Sequence, residues 1–231
     1  MQNRIIKTEE ELSNIIKSAS ITDKVFDLVL ENIKIGMTEV EVANFIEQSF
    51  IRLGGEKLSF DTIVAFGENG AEPHHVPCDR RLSGAEFVTI DMGTVVGGYC
   101  SDFTRTFAVG GATREMLDVY EAVREAEKIG ADALKDGAKC FDVDKAVRDY
   151  LTEKGYGDKF IHGTGHGVGL EIHEAPTLNT KSDEILKANM VVTVEPGVYI
   201  EGCLGVRIEN LYIVGRAEPL SRHDTKLIII G

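Results

Sequence analysis

The stretch Val88–Phe107, VTIDMGTVVGGYCSDFTRTF, sets two apolar, strand-like arms around a glycine pair and puts one aspartate in each arm, Asp91 and Asp102. Read as a hairpin, it has its midpoint between Val96 and Gly97. A two-residue turn there would set the two aspartates directly opposite, on one face, with Cβ atoms about 4.5–5.5 Å apart. A second stretch repeats the arrangement. Glu195 and Glu209 are centred on Gly202, so an odd-length loop around that glycine opposes them in the same way. A bulge at Gly97-Gly98 or at Pro196-Gly197 shifts either pairing by one.

Three of these acids interrupt apolar runs: Val-Thr-Ile-Asp91-Met, Val-Thr-Val-Glu195-Pro and Val-Arg-Ile-Glu209-Asn each place a carboxylate where a core side chain is expected. An isolated acid near a strand end is usually a turn or salt-bridge residue. Two facing pairs are different, because carboxylates sharing one site repel unless cations lie between them, and a buried charge without a partner is costly. Two metal ions about 3.5–4 Å apart would satisfy all four acids. Histidines strengthen the case. His162, His166 and His173 fall within twelve residues among glycines, and His74-His75 form a second short cluster. His223 stands apart and reads as surface. Carboxylates plus imidazole form a ligand set for hard-to-borderline divalent metals.

The rest of the chain supplies a frame. Its 231 residues, 43% hydrophobic, suffice for a sizeable core, and the formal net charge of -13 argues against nucleic acid or an anionic membrane as the main partner. No leader-like start and no membrane-length apolar run is evident, so a cytoplasmic protein is expected. Acid runs such as Glu9-Glu10-Glu11 read as solvated. Cys78, Cys100, Cys140 and Cys203 show no CxxC spacing and read as reduced, mostly buried thiols. Capping boxes at Thr8–Glu11 and Thr38–Glu41 open two helices, stopped near Gly36 and Gly54-Gly55. Strands follow over 59–66, 87–91 and 99–109. Thr113 caps a helix to about Lys135 and Asp142 a shorter one to about Gly155. Strands return over 191–200, 206–214 and 227–230. Helices then strands, twice over, predicts an α+β domain of two pseudo-duplicated halves around one central site.

These segments together resemble the pita-bread metallopeptidases, the group of methionine aminopeptidase, aminopeptidase P and prolidase. The resemblance runs from about Ile6 onward and rests on Ile-Asp91-Met-Gly, Gly-Gly-Tyr-Cys-Ser-Asp102-Phe-Thr-Arg-Thr-Phe, Gly-His166-Gly-Val-Gly-Leu, Val-Glu195-Pro-Gly and Arg207-Ile-Glu209-Asn. It implies the pita-bread fold, with a curved antiparallel sheet covered by helices. It also implies Asp91 as a bidentate ligand of one metal, Asp102 and Glu209 as bridging ligands, and His166 and Glu195 as ligands of the other. His162, Glu171-Ile-His173-Glu174, Glu195-Pro-Gly-Val-Tyr199 and Arg207 look like the proline-directed branch. Pro73-His74-His75-Val-Pro77 resembles a loop that brings a histidine to substrate, with His74 the better candidate. His75 departs from the glycine often found there and is expected to have no role. The separate N-terminal domain usual in aminopeptidase P and prolidase is not matched, so residues 1–231 read as one catalytic domain.

The expected chemistry is hydrolysis of the bond between an N-terminal residue and proline, as an Xaa-Pro aminopeptidase or dipeptidase. It would use two divalent metals, with the oxygen-rich set leaning towards Mn²⁺ over Co²⁺, Fe²⁺ or Zn²⁺. Glu195 would move the proton, His173 would hydrogen-bond the oxyanion, and His74 and His162 would line the proline side. Arg207 would orient the acids or Tyr199, or else form a structural ion pair. The expected partner is a peptide with proline second, and a homodimer is the candidate assembly. Methionine aminopeptidase and a non-catalytic peptide-binding module are the alternatives.

Overall fold

Two threonine caps start the fold where the sequence places them. The computed structural model describes residues 4–231, leaving residues 1–3 of the expected domain outside the description. In α1 (Glu9–Asn32) the Thr8 side chain accepts from the Glu11 N–H while Glu11 takes the Thr8 N–H at 2.7 Å. Thr38 and Glu41 do the same for α2 (Glu39–Arg52). Each box satisfies two otherwise unpaired donors, an effect of about 1 kcal/mol. Thr113 caps α3 (Arg114–Ala133), with the Met116 thioether in the reciprocal position. The fourth helix departs from expectation. α4 (Cys140–Glu153) begins before Asp142, and its N-cap Lys139 makes no side-chain bond. A backbone bond from Cys140 N–H to the Glu184 carbonyl, 3.0 Å, sets the start instead. Asp142 lies inside the first turn, where its charge meets the positive helix end.

The strands are β1 (Ile63–Phe66), β2 (Glu86–Met92), β3 (Val95–Val96), β4 (Tyr99–Cys100), β5 (Phe103–Val109), β6 (Gly165–Gly167), β7 (Glu174–Leu178), β8 (Val191–Val194), β9 (Gly197–Ile200), β10 (Leu204–Arg207), β11 (Asn210–Ile213) and β12 (Ile229–Ile230). Two four-stranded sheets run β1-β2-β5-β12 and β11-β8-β6-β7, and β3-β4 and β9-β10 form two-stranded ribbons. Pairing is antiparallel except for β12, which lies parallel on β5. Three expected continuous strands are each broken: 99–109 at Ser101-Asp102, 191–200 at Glu195-Pro196, and 206–214 at Ile208-Glu209. Every break holds one of the acids. Pro196 has no N–H for a ladder, and a carboxylate turned into a cleft cannot also pack in the core. β6 and β7 were not expected, because glycine-rich sequence has weak strand propensity.

The two halves are related residue by residue at one point. Gly36 N–H bonds the Leu82 carbonyl and Leu82 N–H bonds Met37, both at 2.8 Å; Gly137 with Leu186 and Leu186 with Ala138 repeat both bonds at 2.8 Å. Gly36 (φ 94°) and Gly137 (φ 84°) occupy the left-handed region, which a side chain would oppose. Each staple pins the turn before α2 or α4 to the chain entering its sheet. Phe26, Ile46, Phe66, Val88 and Phe107 fill the core of the first half, and Val143, Leu178, Leu186, Val192 and Val194 that of the second.

Two smaller expectations change. His223 is half-buried, its ring 5.0 Å from Phe26 and its Nε2 3.2 Å from the Asp23 carbonyl. Cys100 and Cys140 are buried, but Cys78 and Cys203 are exposed; all four are free thiols. Among the described residues no helix is long and apolar enough to cross a membrane.

Candidate active site

The acids meet where the two hairpins break. In the second hairpin Gly197 pairs with Arg207 and Val194 with Asn210, so one register on both sides of the break sets Glu195 opposite Glu209, as expected. In the first, Val96 pairs with Tyr99 and Asp91 with Thr104. The turn is therefore Gly97-Gly98, one residue beyond the expected centre, and Asp91 does not face Asp102. The reason is local. Both turn residues have positive φ, 58° and 81°, as a tight hairpin turn demands, and Val96 cannot adopt that conformation cheaply. Moving the centre by one moves each partner by two, which keeps every side chain on its face. Asp102 still points into the same cleft.

Asp102, His166 and Glu209 offer ligand atoms that all lie within 4.8 Å of one another. His166 Nε2 is 3.5 Å from Asp102 Oδ2 and 3.3 Å from Glu195 Oε1. The Gly167 carbonyl, 3.1 Å from Nδ1, can only accept, so the ring proton sits on Nδ1. Burial holds the His166 pKa down to about 4, so the ring is neutral and its Nε2 lone pair faces two carboxylates. Asp91 Oδ1 and Glu209 Oε1 are buried without a hydrogen-bond partner. Burial, reinforced by neighbouring acids, raises the pKa values of Asp102 and Glu209 far above the usual carboxylate range. Burial, with the charge of Asp91 adding to it, pushes Glu195 up to about 8. Repelling acids, orphaned oxygens and an unprotonated imidazole nitrogen aimed among them are what divalent cations would satisfy. The donor set fits such a group.

Arg207 is buried and joins three parts of the site. Its Nη2 donates to Asp91 Oδ2 at 2.9 Å, its Nη1 to the Tyr199 hydroxyl at 3.0 Å, and its Nε to Thr104 Oγ1 at 3.2 Å. His162 gives its Nδ1 proton to the Gly163 carbonyl at 2.8 Å, so its Nε2 accepts from Tyr199 at 2.8 Å. The chain Arg207, Tyr199, His162 thus has one consistent set of proton positions. Arg207 thus bonds both Asp91 and Tyr199, and its contact with Asp91 is an ion pair. Burial lowers the His162 pKa to about 4.

A cavity of about 520 Å³ opens over these groups, lined by nine of the ten residues singled out in the sequence. Tyr199 stands behind His162 instead. His74 and His173 are exposed, and the His173 ring lies 4.4 Å from that of His166. Two threonines were missed. Thr104 donates to Glu209 Oε2 at 2.6 Å, and Thr193 takes the His166 N–H at 3.0 Å and donates to Glu195 Oε1 at 3.2 Å. Polar residues alternating inside buried strands, as in Phe-Thr104-Arg-Thr106, were the available signal.

Fold and site together place the chain among the metallopeptidases. It belongs to metallopeptidase family M24, whose family model matches residues 13–216. An uncharacterized peptidase of Staphylococcus aureus is 43% identical over 213 residues, 92% of this chain and 61% of that protein. Among solved structures, an Xaa-Pro dipeptidase from Bacillus anthracis superposes with TM-score 0.97 at 44% identity, covering 99% of this chain and 65% of that one. A prolidase from Pyrococcus furiosus gives 0.94 and 41%, covering 96% and 67%. An X-Pro aminopeptidase from Thermotoga maritima gives 0.96 and 35%, covering 99% and 66%. The fold is the pita-bread fold. The chain spans 61% of the length of the curated relative.

Proposed function

We propose that this chain hydrolyses the peptide bond between an N-terminal residue and proline, as an Xaa-Pro aminopeptidase or dipeptidase. The observation that carries the reading is the acid cluster around the neutral His166, with orphaned oxygens on Asp91 and Glu209. Likeness to an Xaa-Pro dipeptidase and a prolidase supports the proline specificity. So does the cavity wall: Phe60, Val76 and Ile172 suit an apolar pyrrolidine ring. Asp91, Asp102, His166, Glu195 and Glu209 would hold two divalent ions, manganese by the oxygen-rich set. Such ions supply Lewis-acid charge and acidify water.

The remaining steps belong to the protein. Glu195, held at Oε1 by the Thr193 hydroxyl, takes the proton of the attacking water and passes it to the proline nitrogen. His173, at the rim beside His166, hydrogen-bonds the oxyanion. His74 and His162 line the proline side, and Arg207 fixes Asp91 and Tyr199. Residues 1–231 act as a single catalytic domain in the cytoplasm, with a peptide as partner and a homodimer as the assembly to test. Neither nucleic acid nor membrane is a partner, consistent with the charge of -13.

The deciding assay loads the chain with Mn²⁺ and offers Ala-Pro, Ala-Pro-Ala and Met-Gly-Ala side by side. Cleavage of the proline peptides alone is expected. Cleavage of Met-Gly-Ala alone would make it a methionine aminopeptidase, and manganese binding without any cleavage would make it a binding module.

A further inference from the structure

A second group of ligand-bearing side chains lies behind the loop that carries His74. Glu39, His75 and Cys78 bring a carboxylate oxygen, an imidazole nitrogen and a sulfur within 4.8 Å of one another. Glu39 opens α2 and is fully buried, and its Oε1 accepts from Phe66 N–H and Asn69 Nδ2, both at 2.8 Å. Its Oε2 receives everything else: His75 Nε2 at 2.8 Å, Cys78 Sγ at 3.1 Å and Cys78 N–H at 3.0 Å. The other ring nitrogen of His75 faces Glu72 Oε2 at 3.3 Å. Among the described residues Asn69 Nδ2, 3.3 Å from His75 Nε2, is the one donor near that nitrogen; a neutral imidazole has one N–H, so between two carboxylates one nitrogen still turns a lone pair towards an anion. A second proton or a cation resolves that conflict.

We propose that Glu39, His75 and Cys78 form a site for one zinc ion, sharing no ligand with the acid cluster of the cleft and independent of the hydrolase reading. Thiolate, imidazole and carboxylate are zinc's protein ligands, and the exposed Cys78 leaves the fourth position to water. Tetrahedral bonds of about 2.0–2.3 Å place ligand atoms about 3.3–3.6 Å apart. The carboxylate-to-nitrogen and carboxylate-to-sulfur distances of 2.8 and 3.1 Å need to open by only about half an ångström to reach that. The proton balance is simple. Cys78 releases its thiol proton to solvent. The His75 ring proton moves to Nδ1, facing Glu72, an orientation that carboxylates commonly impose on metal-bound histidine. One thiolate and one carboxylate then neutralise the dication. The ion fastens the loop whose other side, from Pro73 to Pro77, lines the active cavity and touches Arg207 through the Pro73 carbonyl.

Cobalt is the spectroscopic probe. The cleft acids and His166 offer only oxygen and nitrogen, so a near-ultraviolet thiolate-to-cobalt absorption in the tag-free chain can come only from a cysteine. We expect that band in the wild type and its loss in Cys78→Ser and His75→Ala, with the cleft's cobalt retained. Zinc alone should slow alkylation of Cys78 at least about tenfold, read by peptide mass spectrometry, while Cys203, the other exposed thiol, reacts as before. A wild type without the band, a band that survives Cys78→Ser, or an unchanged Cys78 alkylation rate overturns the proposal.

Discussion

Stripping the cleft's cations should make stability fall as pH rises from 6.5 to 8, and manganese should remove that slope. The sign follows from Glu195, whose folded pKa is raised by burial from 4.5 to about 8. Between those values the folded protein holds a proton that the unfolded chain has lost. Stability therefore drops with rising pH, by roughly 1.4 kcal/mol per unit. Glu195 alone accounts for about 1.6 kcal/mol between pH 6.5 and 8, its slope halving at the folded pKa, and Asp102 and Glu209 are raised by the same causes and act in the same direction. The buried histidines oppose this mainly at lower pH. His162 and His166, lowered from 6.5 to about 4, refuse protons that the unfolded chain accepts, so their contribution is lost as pH falls through that range. Above 6.5 each of them still opposes the carboxylates by roughly 0.4 kcal/mol, the half of its unfolded-state titration that remains, and the three acids together exceed that. Glu127, raised by its own burial away from the cleft, is common to both forms and cancels. The chain has no tryptophan, so urea unfolding is followed by far-UV circular dichroism, in chelator and in Mn²⁺, at half-unit pH steps. A chelated protein whose stability is level or rising to pH 8, or an equal slope with manganese, would refute the idea that these acids need cations to ionise.

Substitutions in the cleft should separate holding a metal from using it. His166→Ala should lose both bound metal and activity, and full activity with metal retained would sink its assignment as a ligand. His173→Ala should lower kcat by about 10²–10³ with metal content intact by mass spectrometry. Tyr199→Phe removes the donor to His162 and the acceptor of Arg207. It should cost about 1–3 kcal/mol in urea unfolding and leave the metals in place. A Cβ on Gly205 would run into the Gly70 carbonyl, so Gly205→Ala should destabilise by about 3 kcal/mol or more. Gly54→Ala, with φ 94° but open space around it, should cost about 1 kcal/mol.

What the sequence revealed was what short range decides. The Thr8 and Thr38 boxes close within three residues, so their helices begin where they read. The Glu195–Glu209 register was legible because Gly202 (φ 67°) sits at the centre of an odd loop. The Asp91–Asp102 register slipped because the midpoint of the acids was taken for the turn, although only Gly97-Gly98 accepts two positive φ angles. The cleft survived that slip because sheet faces repeat every two residues. Long-range contacts left no such trace. Thr104 meets Glu209 across 105 residues and Glu39 meets His75 across 36. His75, read as a bystander, shows no pattern in its own neighbourhood. Asp142 read as a cap because nothing local reveals that Glu184 anchors that turn.

Ownership of the cleft is divided. Asp91 and Asp102 come from the first stapled half, and His166, Glu195 and Glu209 from the second. An ion seated among them is a shared tenant: when either half melts, the survivor keeps too few ligands to retain it. Occupancy therefore adds a fastening across the cleft to the cores the halves already share, where Phe87 and Ala108 pack with Val198 and Ile208. Calorimetry should show one transition in both forms, higher and sharper in the loaded protein than after chelation.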